Sequence, residues 1–121
     1  MNKLALVILI VILSVGCKKQ KETLLQGRWD MYEIPEQPWD EIWSFAPNNT
    51  VHKIQITNAE VDTIASGSYI LKNNTITIAG PNTTTSDLFG GDYTIKRLDK
   101  NYLVLHRHQN GLIYYEFAKQ N

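Results

Sequence analysis

The sequence predicts an all-β fold, a small eight-stranded antiparallel up-and-down barrel, and three observations carry that expectation. From Leu24 onward the chain alternates short runs rich in Ile, Val, Thr, Tyr and Trp with clusters of turn-forming residues. No helical period lasts longer than a turn, and no repeat or low-complexity tract interrupts the pattern. The hairpins whose register can be tested put their apolar side chains on one face. A meander with one apolar face closes most simply as a barrel, which also removes the exposed edges of an open sheet.

The candidate strands are Gly27 to Ile34, Trp39 to Ala46, Val51 to Thr57, Val61 to Leu71, Thr75 to Ala79, Asp92 to Leu98, Tyr102 to Arg107 and Leu112 to Ala118. Pro47-Asn48-Asn49, Asn58-Ala59-Glu60, Asn73-Asn74, Asp99-Lys100-Asn101 and Asn110-Gly111 separate them, residue types that tolerate or pre-set turn backbone. Most gaps suit only hairpins. A one-residue slip exchanges the two faces of a strand, so register follows from which turn sorts apolar from polar side chains. A two-residue turn at Asn73-Asn74 sets Leu71 opposite Ile76 and Tyr69 opposite Ile78. A three-residue loop at Gln109-Asn110-Gly111, with Gly111 in the left-handed position, sets Leu103 opposite Phe117, Leu105 opposite Tyr115 and Arg107 opposite Ile113. Lys53, Gln55 and Arg97 fall where strict alternation calls for apolar residues, and a bulge in the third or sixth strand would shift them.

The first residues are expected to take no part in this fold. Met1-Asn2-Lys3 is a short basic start, Leu4 to Val15 is an apolar run of about a dozen residues, and Gly16-Cys17 closes it, as in a secretory signal. The run is too short for a membrane span, which takes roughly 18 or more apolar residues. Ser14-Val15-Gly16-Cys17 resembles the lipobox of bacterial lipoproteins, with Ser14 where Leu is usual and Leu13 one place further back. That resemblance implies removal of residues 1–16, acylation of Cys17 and a lipid-anchored tether over 17–23 that leads into a barrel domain over 24–121. Ordinary cleavage after Gly16, leaving a free thiol, is the alternative. Two or more acyl chains give stable anchoring, so membrane lipid is the first expected partner. Cys17 is the only cysteine, which excludes an intramolecular disulfide framework.

Without residues 1–16 the chain keeps eleven of its twelve Lys and Arg against twelve Asp and Glu, a net charge near minus one. It has no basic field for nucleic acid. The one basic cluster, Lys18-Lys19-Gln20-Lys21, reads as a solvated tether. The acidic stretch that often follows the cysteine of surface-exported lipoproteins of the Bacteroidota is absent. The expected location is therefore the cell envelope, lipid-anchored in the outer membrane and facing the periplasm, with surface exposure as the alternative.

Leu25-Gln26-Gly27-Arg28-Trp29 resembles the Gly-x-Trp opening of lipocalins. With Trp43-Ser44-Phe45, Asn49-Thr50-Val51, Gly67-Ser68-Tyr69, Thr75-Ile76-Thr77-Ile78, Leu103-Val104-Leu105 and Tyr115-Glu116-Phe117, the chain resembles the short lipocalin-like domains of Bacteroidota lipoproteins along nearly its whole mature length. It is far shorter than the ligand-carrying lipocalins and shows no C-terminal helix. Trp29, Trp43, Phe45, Tyr69, Tyr93, Tyr115 and Phe117 are expected inside, where an eight-stranded barrel either fills with side chains or holds one small ligand. Trp29 is expected to plug the closed end, stacked by Arg97 if that side chain turns inward.

The opposite rim gathers the Pro35 to Trp39 connection, the Asn58 to Glu60 turn, the long loop Gly80 to Gly91 and the last hairpin. Arg107 would point into this mouth with Tyr93 and Tyr115 near it, beneath a cover of Leu88, Phe89 and Trp39. Fatty-acid-carrying lipocalins resemble this arrangement in using an inward Arg and a Tyr to hold a carboxylate. The resemblance thus implies an apolar ligand with one acidic group. Catalytic signals are thin, and the chain reads as a non-enzyme without cofactor. His106-x-His108 falls on the outer face and reads as solvated histidines rather than a metal pair. Asp40-Glu41 points to opposite faces of one strand, the wrong geometry for shared acid and base work. Two function classes stand: a lipoprotein that binds a small amphipathic or apolar acidic molecule at the barrel mouth, and a structural or interaction lipoprotein whose filled barrel contacts another envelope protein.

Overall fold

The structure is a computed structural model that describes residues 18–32, 38–83, 89–108 and 111–120. The expected signal segment over residues 1–16, Cys17 and Leu88 lie outside the described residues. The strands are β1 (Gly27–Tyr32), β2 (Asp40–Phe45), β3 (Thr50–Thr57), β4 (Glu60–Lys72), β5 (Thr75–Thr83), β6 (Gly91–Leu98), β7 (Tyr102–His108) and β8 (Leu112–Lys119). They pair in chain order, and β8 closes on β1 to complete an antiparallel up-and-down barrel.

Turn chemistry accounts for the hairpins. Asn49, Asn58 and Asn73 adopt positive φ, which asparagine tolerates better than most side chains. The β4–β5 register is the one expected from a two-residue turn, with Leu71 opposite Ile76 and Tyr69 opposite Ile78. The β7–β8 register likewise sets Leu105 opposite Tyr115 and Arg107 opposite Ile113, with Gly111 at φ 126°. Ala59 is the costly member of the set, holding φ 66° with a Cβ. Ala59→Gly should therefore raise stability by about 1 kcal/mol, read as a higher urea midpoint at unchanged slope.

Bulges decide the irregular positions. In the β6–β7 pairing Ile95 faces Leu105 and Arg97 faces Val104, so Lys96 is an extra residue on β6. That extra residue turns Arg97 to the outer face, where it stacks over Tyr102 and pairs with Asp99, and returns Leu98 inward. Arg97 therefore does not cover Trp29, contrary to the sequence expectation. Lys53 behaves in the opposite way. The extra residue next to it is Ile64 on β4, while β3 stays regular against β2, so Lys53 keeps its inward direction. β5 also runs beyond the expected Ala79, because the long β4 offers partners as far as Ala65, and the loop that follows is correspondingly shorter. The register shift there falls at Pro81, which has no N–H for a regular ladder.

The closed end departs from a solvated tether. Residues 18–25 form a short helix, α1, in which Leu25 is fully buried and Lys21 Nζ donates to Asn74 Oδ1 at 2.7 Å. Trp29 is completely covered and its Nε1 donates to the Leu25 carbonyl at 2.8 Å. The cation over its ring is Lys119, 4.5 Å from the ring centre, whose ammonium also donates to the Leu24 and Gln26 carbonyls at the end of α1. Burial pushes the Lys119 ammonium pKa below its ordinary value. Gly27 makes this arrangement feasible. It sits at φ 123°, and a Cβ there would lie 2.6 Å from Lys119 Nζ.

Candidate functional site

Seven inward aromatics cluster in the barrel above this plug, and Trp43 stands at their centre. Its ring meets Phe89 and Tyr93 edge-on at 5.0 and 5.4 Å and lies tilted against Phe117 and Tyr115 at 5.0 and 5.6 Å. Phe45 and Tyr69 make a further edge-on pair at 5.2 Å nearer the closed end. Such pairs add to the stabilisation from burial alone. Trp29, Trp43, Phe45, Tyr69, Tyr93, Phe89 and Phe117 are all at most 2 % exposed.

Alternation on β2 and β3 carries two charges into this interior. Glu41 shares the inward parity of Trp43 and Phe45, and Trp43 pairs across the ladder with Lys53. Trp43 Nε1 donates to Glu41 Oε2 at 2.9 Å, and Lys53 Nζ lies 3.7 Å from Glu41 Oε1 and 5.9 Å from the Phe89 ring centre. Both charged residues are less than 9 % exposed. The sequence marked each of them only as an oddity, Glu41 as half of an acidic pair and Lys53 as a break in alternation. The β2–β3 register was the signal that joins them.

Arg107 enters from β7 and is also buried. Its Nη1 donates to the Tyr93 hydroxyl at 2.6 Å, its Nη2 donates to the Gly90 carbonyl, and its guanidinium lies 4.8 Å from the Tyr93 ring centre. The Tyr93 hydroxyl donates in turn to the Phe89 carbonyl at 2.6 Å. Arg107, Tyr93, Tyr115 and Phe89 are thus brought together as the sequence suggested, and the Phe89-Gly90 backbone is stitched across the mouth. Trp39 stands apart, half-buried before β2, and makes no ring contact among the described residues. Gly91 holds φ 130° beside Arg107, and a Cβ there would lie 2.9 Å from Nη2. Gly91→Ala should cost about 1–3 kcal/mol through backbone strain and displace the guanidinium, visible as a moved Arg107 side-chain N–H resonance.

Two depressions on the outer wall are lined by described residues. One, of about 470 Å³, is polar and lined by Gly91, Asp92, Thr94, His106, Arg107 and His108. His106 stacks edge-on to Tyr114 at 4.0 Å, and its pKa is lowered by desolvation, then by Lys96 and His108. Among the described residues no three His, Cys, Asp or Glu side chains converge to hold a metal ion. The second, of about 210 Å³, is mostly apolar and lies across β1, β8 and β7, lined by Tyr32, Tyr102, Glu116, Phe117 and Ala118.

No protein-family model, curated protein or solved structure matches the chain. Among the described residues no helix is long and apolar enough to cross a membrane.

Proposed function

We propose that this chain is a lipocalin-like envelope lipoprotein, anchored through acylated Cys17, whose filled barrel acts as a rigid platform for another envelope protein. The observation that carries this reading is the Trp43-centred aromatic cluster, which occupies the barrel space a carried ligand would need. Arg107 supports it, since Tyr93 and the Gly90 carbonyl already take up its donors. With α1 packed across the closed end, an anchor immediately before residue 18 leaves that end nearest the membrane and turns the mouth outward. Native mass spectrometry of the protein extracted from its own envelope tests the proposal. The acylated chain alone or with a second protein is the expected species. A co-purifying small molecule would overturn the platform reading.

One observation favours the second reading, an acidic apolar ligand at the mouth. Arg107 lines the polar depression outside the barrel as well as the interior. A carboxylate that replaced the Gly90 carbonyl on Arg107 would have to lift Phe89 out of its contact with Trp43. The same mass measurement separates the two readings.

A further inference from the structure

The second outer depression combines two exposed aromatic rings with a carboxylate. Outward alternation on three adjacent strands lays out two rows, Asp30, Ala118 and Tyr102 in one and Tyr32, Glu116 and Val104 in the other. Tyr32 and Tyr102 are 66 % and 49 % exposed, large aromatic areas left in water on opposite walls of the groove. Their strands stand two ladder spacings apart, roughly 10 Å at the backbone, and the two residues sit diagonally across β8, Tyr32 beside Glu116 and Tyr102 beside Ala118, with room for one flat group along that diagonal. Ala118, with its small side chain, keeps the floor low.

The charge of this face selects the group. Asp30 and Glu116 flank the small floor residue, and neither makes an ion pair or side-chain hydrogen bond among the described residues. Asp40 adds a third carboxylate, close enough that burial and then Asp40 hold the Asp30 carboxyl above its ordinary pKa. Arg28 is the one cation on this stretch of β1, and it too makes no ion pair among the described residues. The face therefore calls for a cation, and the two rings call for a flat one. The molecule already pairs these chemistries nearby. Arg97 lies with its guanidinium 4.7 Å from the Tyr102 ring centre on the β6 side, with its charge answered by Asp99 at 2.9 Å. The closed barrel leaves no strand edge here for backbone pairing, so a partner must be held through side chains.

We infer that the groove between Tyr32 and Tyr102 docks an arginine side chain of a partner protein, its guanidinium between the two rings and paired with Glu116 and Asp30, its methylene stem over Ala118. This deepens the platform reading and rests on it. Guanidinium is planar, weakly hydrated and stacks on aromatic faces, which a lysine ammonium does not match. An anionic membrane surface is disfavoured by the same three carboxylates.

The test uses the acylated chain in dodecyl maltoside micelles, followed by amide NMR during titration with a blocked Gly-Ser-Arg-Ser-Gly peptide. Saturable shifts are expected at Tyr32, Tyr102, Glu116 and Ala118, and none with the uncharged citrulline peptide. Tyr32→Ala or Tyr102→Ala should weaken binding several-fold to about tenfold, and Glu116→Gln by about tenfold. All three sites are exposed, and an unchanged Trp43 indole resonance confirms that each variant is folded. Absent shifts, equal shifts with citrulline, or shifts elsewhere would overturn the inference. So would perturbation of the same amides by phosphatidylethanolamine vesicles without any by the peptide. Failure here leaves the filled platform standing with some other docking face, whereas a small molecule found by mass spectrometry removes the platform itself.

Discussion

Trp43→Ala should remove about 3–5 kcal/mol of folding stability, the largest loss expected from any single truncation in this barrel. The indole lies against four other aromatic rings and is 1 % exposed, so no neighbour can reach its place without giving up a contact of its own. Truncation also takes the indole N–H from Glu41 Oε2. Domains of this size hold only about 5–15 kcal/mol in total, so the variant should stand near the edge of unfolding at room temperature. Urea denaturation followed by far-UV circular dichroism measures the loss. A cost below about 1 kcal/mol would mean that the barrel centre is loosely packed, since a tight site cannot absorb so large a cavity.

Glu41→Ala should cost about 3 kcal/mol, because it takes from buried Lys53 the carboxylate beside it. Exchanging both members should behave differently. Two charges removed together leave neither to face the other's empty place, so Glu41→Leu with Lys53→Met should cost clearly less than the two single changes added together. The double-mutant cycle should therefore return a coupling of at least about 2 kcal/mol. Additive costs would show that the pair is solvated in spite of its burial.

Most of the fold was legible because two local rules agree throughout the chain. Turn residues bound the strands, and side-chain alternation sets the register, so Leu71 opposite Ile76 and Leu105 opposite Tyr115 follow from sorting faces alone. Where a bulge intervenes, the pattern cannot say which strand carries the extra residue. Lys96 carries it on β6 and sends Arg97 outward, whereas Ile64 carries it on β4 and leaves Lys53 inside. The helix over residues 18–25 was invisible for another reason. Two turns are too few for a period, and what holds them is tertiary: Leu25 beneath Trp29, and Lys119 on the final carbonyls.

The mouth was partly legible by the same logic. Parity placed Arg107, Tyr93 and Tyr115 on the inner face, and the sequence marked Phe89 as part of a cover. It could not show that Arg107 spends its donors on Tyr93 and Gly90, because the backbone path of a loop is not written in its composition. Nor could it join Tyr32 to Tyr102, which are neighbours only because β8 closes on β1 and brings Ala118 between them.

The central claim is that the barrel is a filled platform rather than a carrier, and ligand uptake tests it most directly. A fluorescent fatty-acid probe titrated into the wild type and into Arg107→Ala measures uptake at the mouth. No saturable binding to either protein is expected, since Phe89 and Trp43 occupy the interior and the Arg107 donors are engaged. Saturable binding by the wild type that Arg107→Ala abolishes would contradict it.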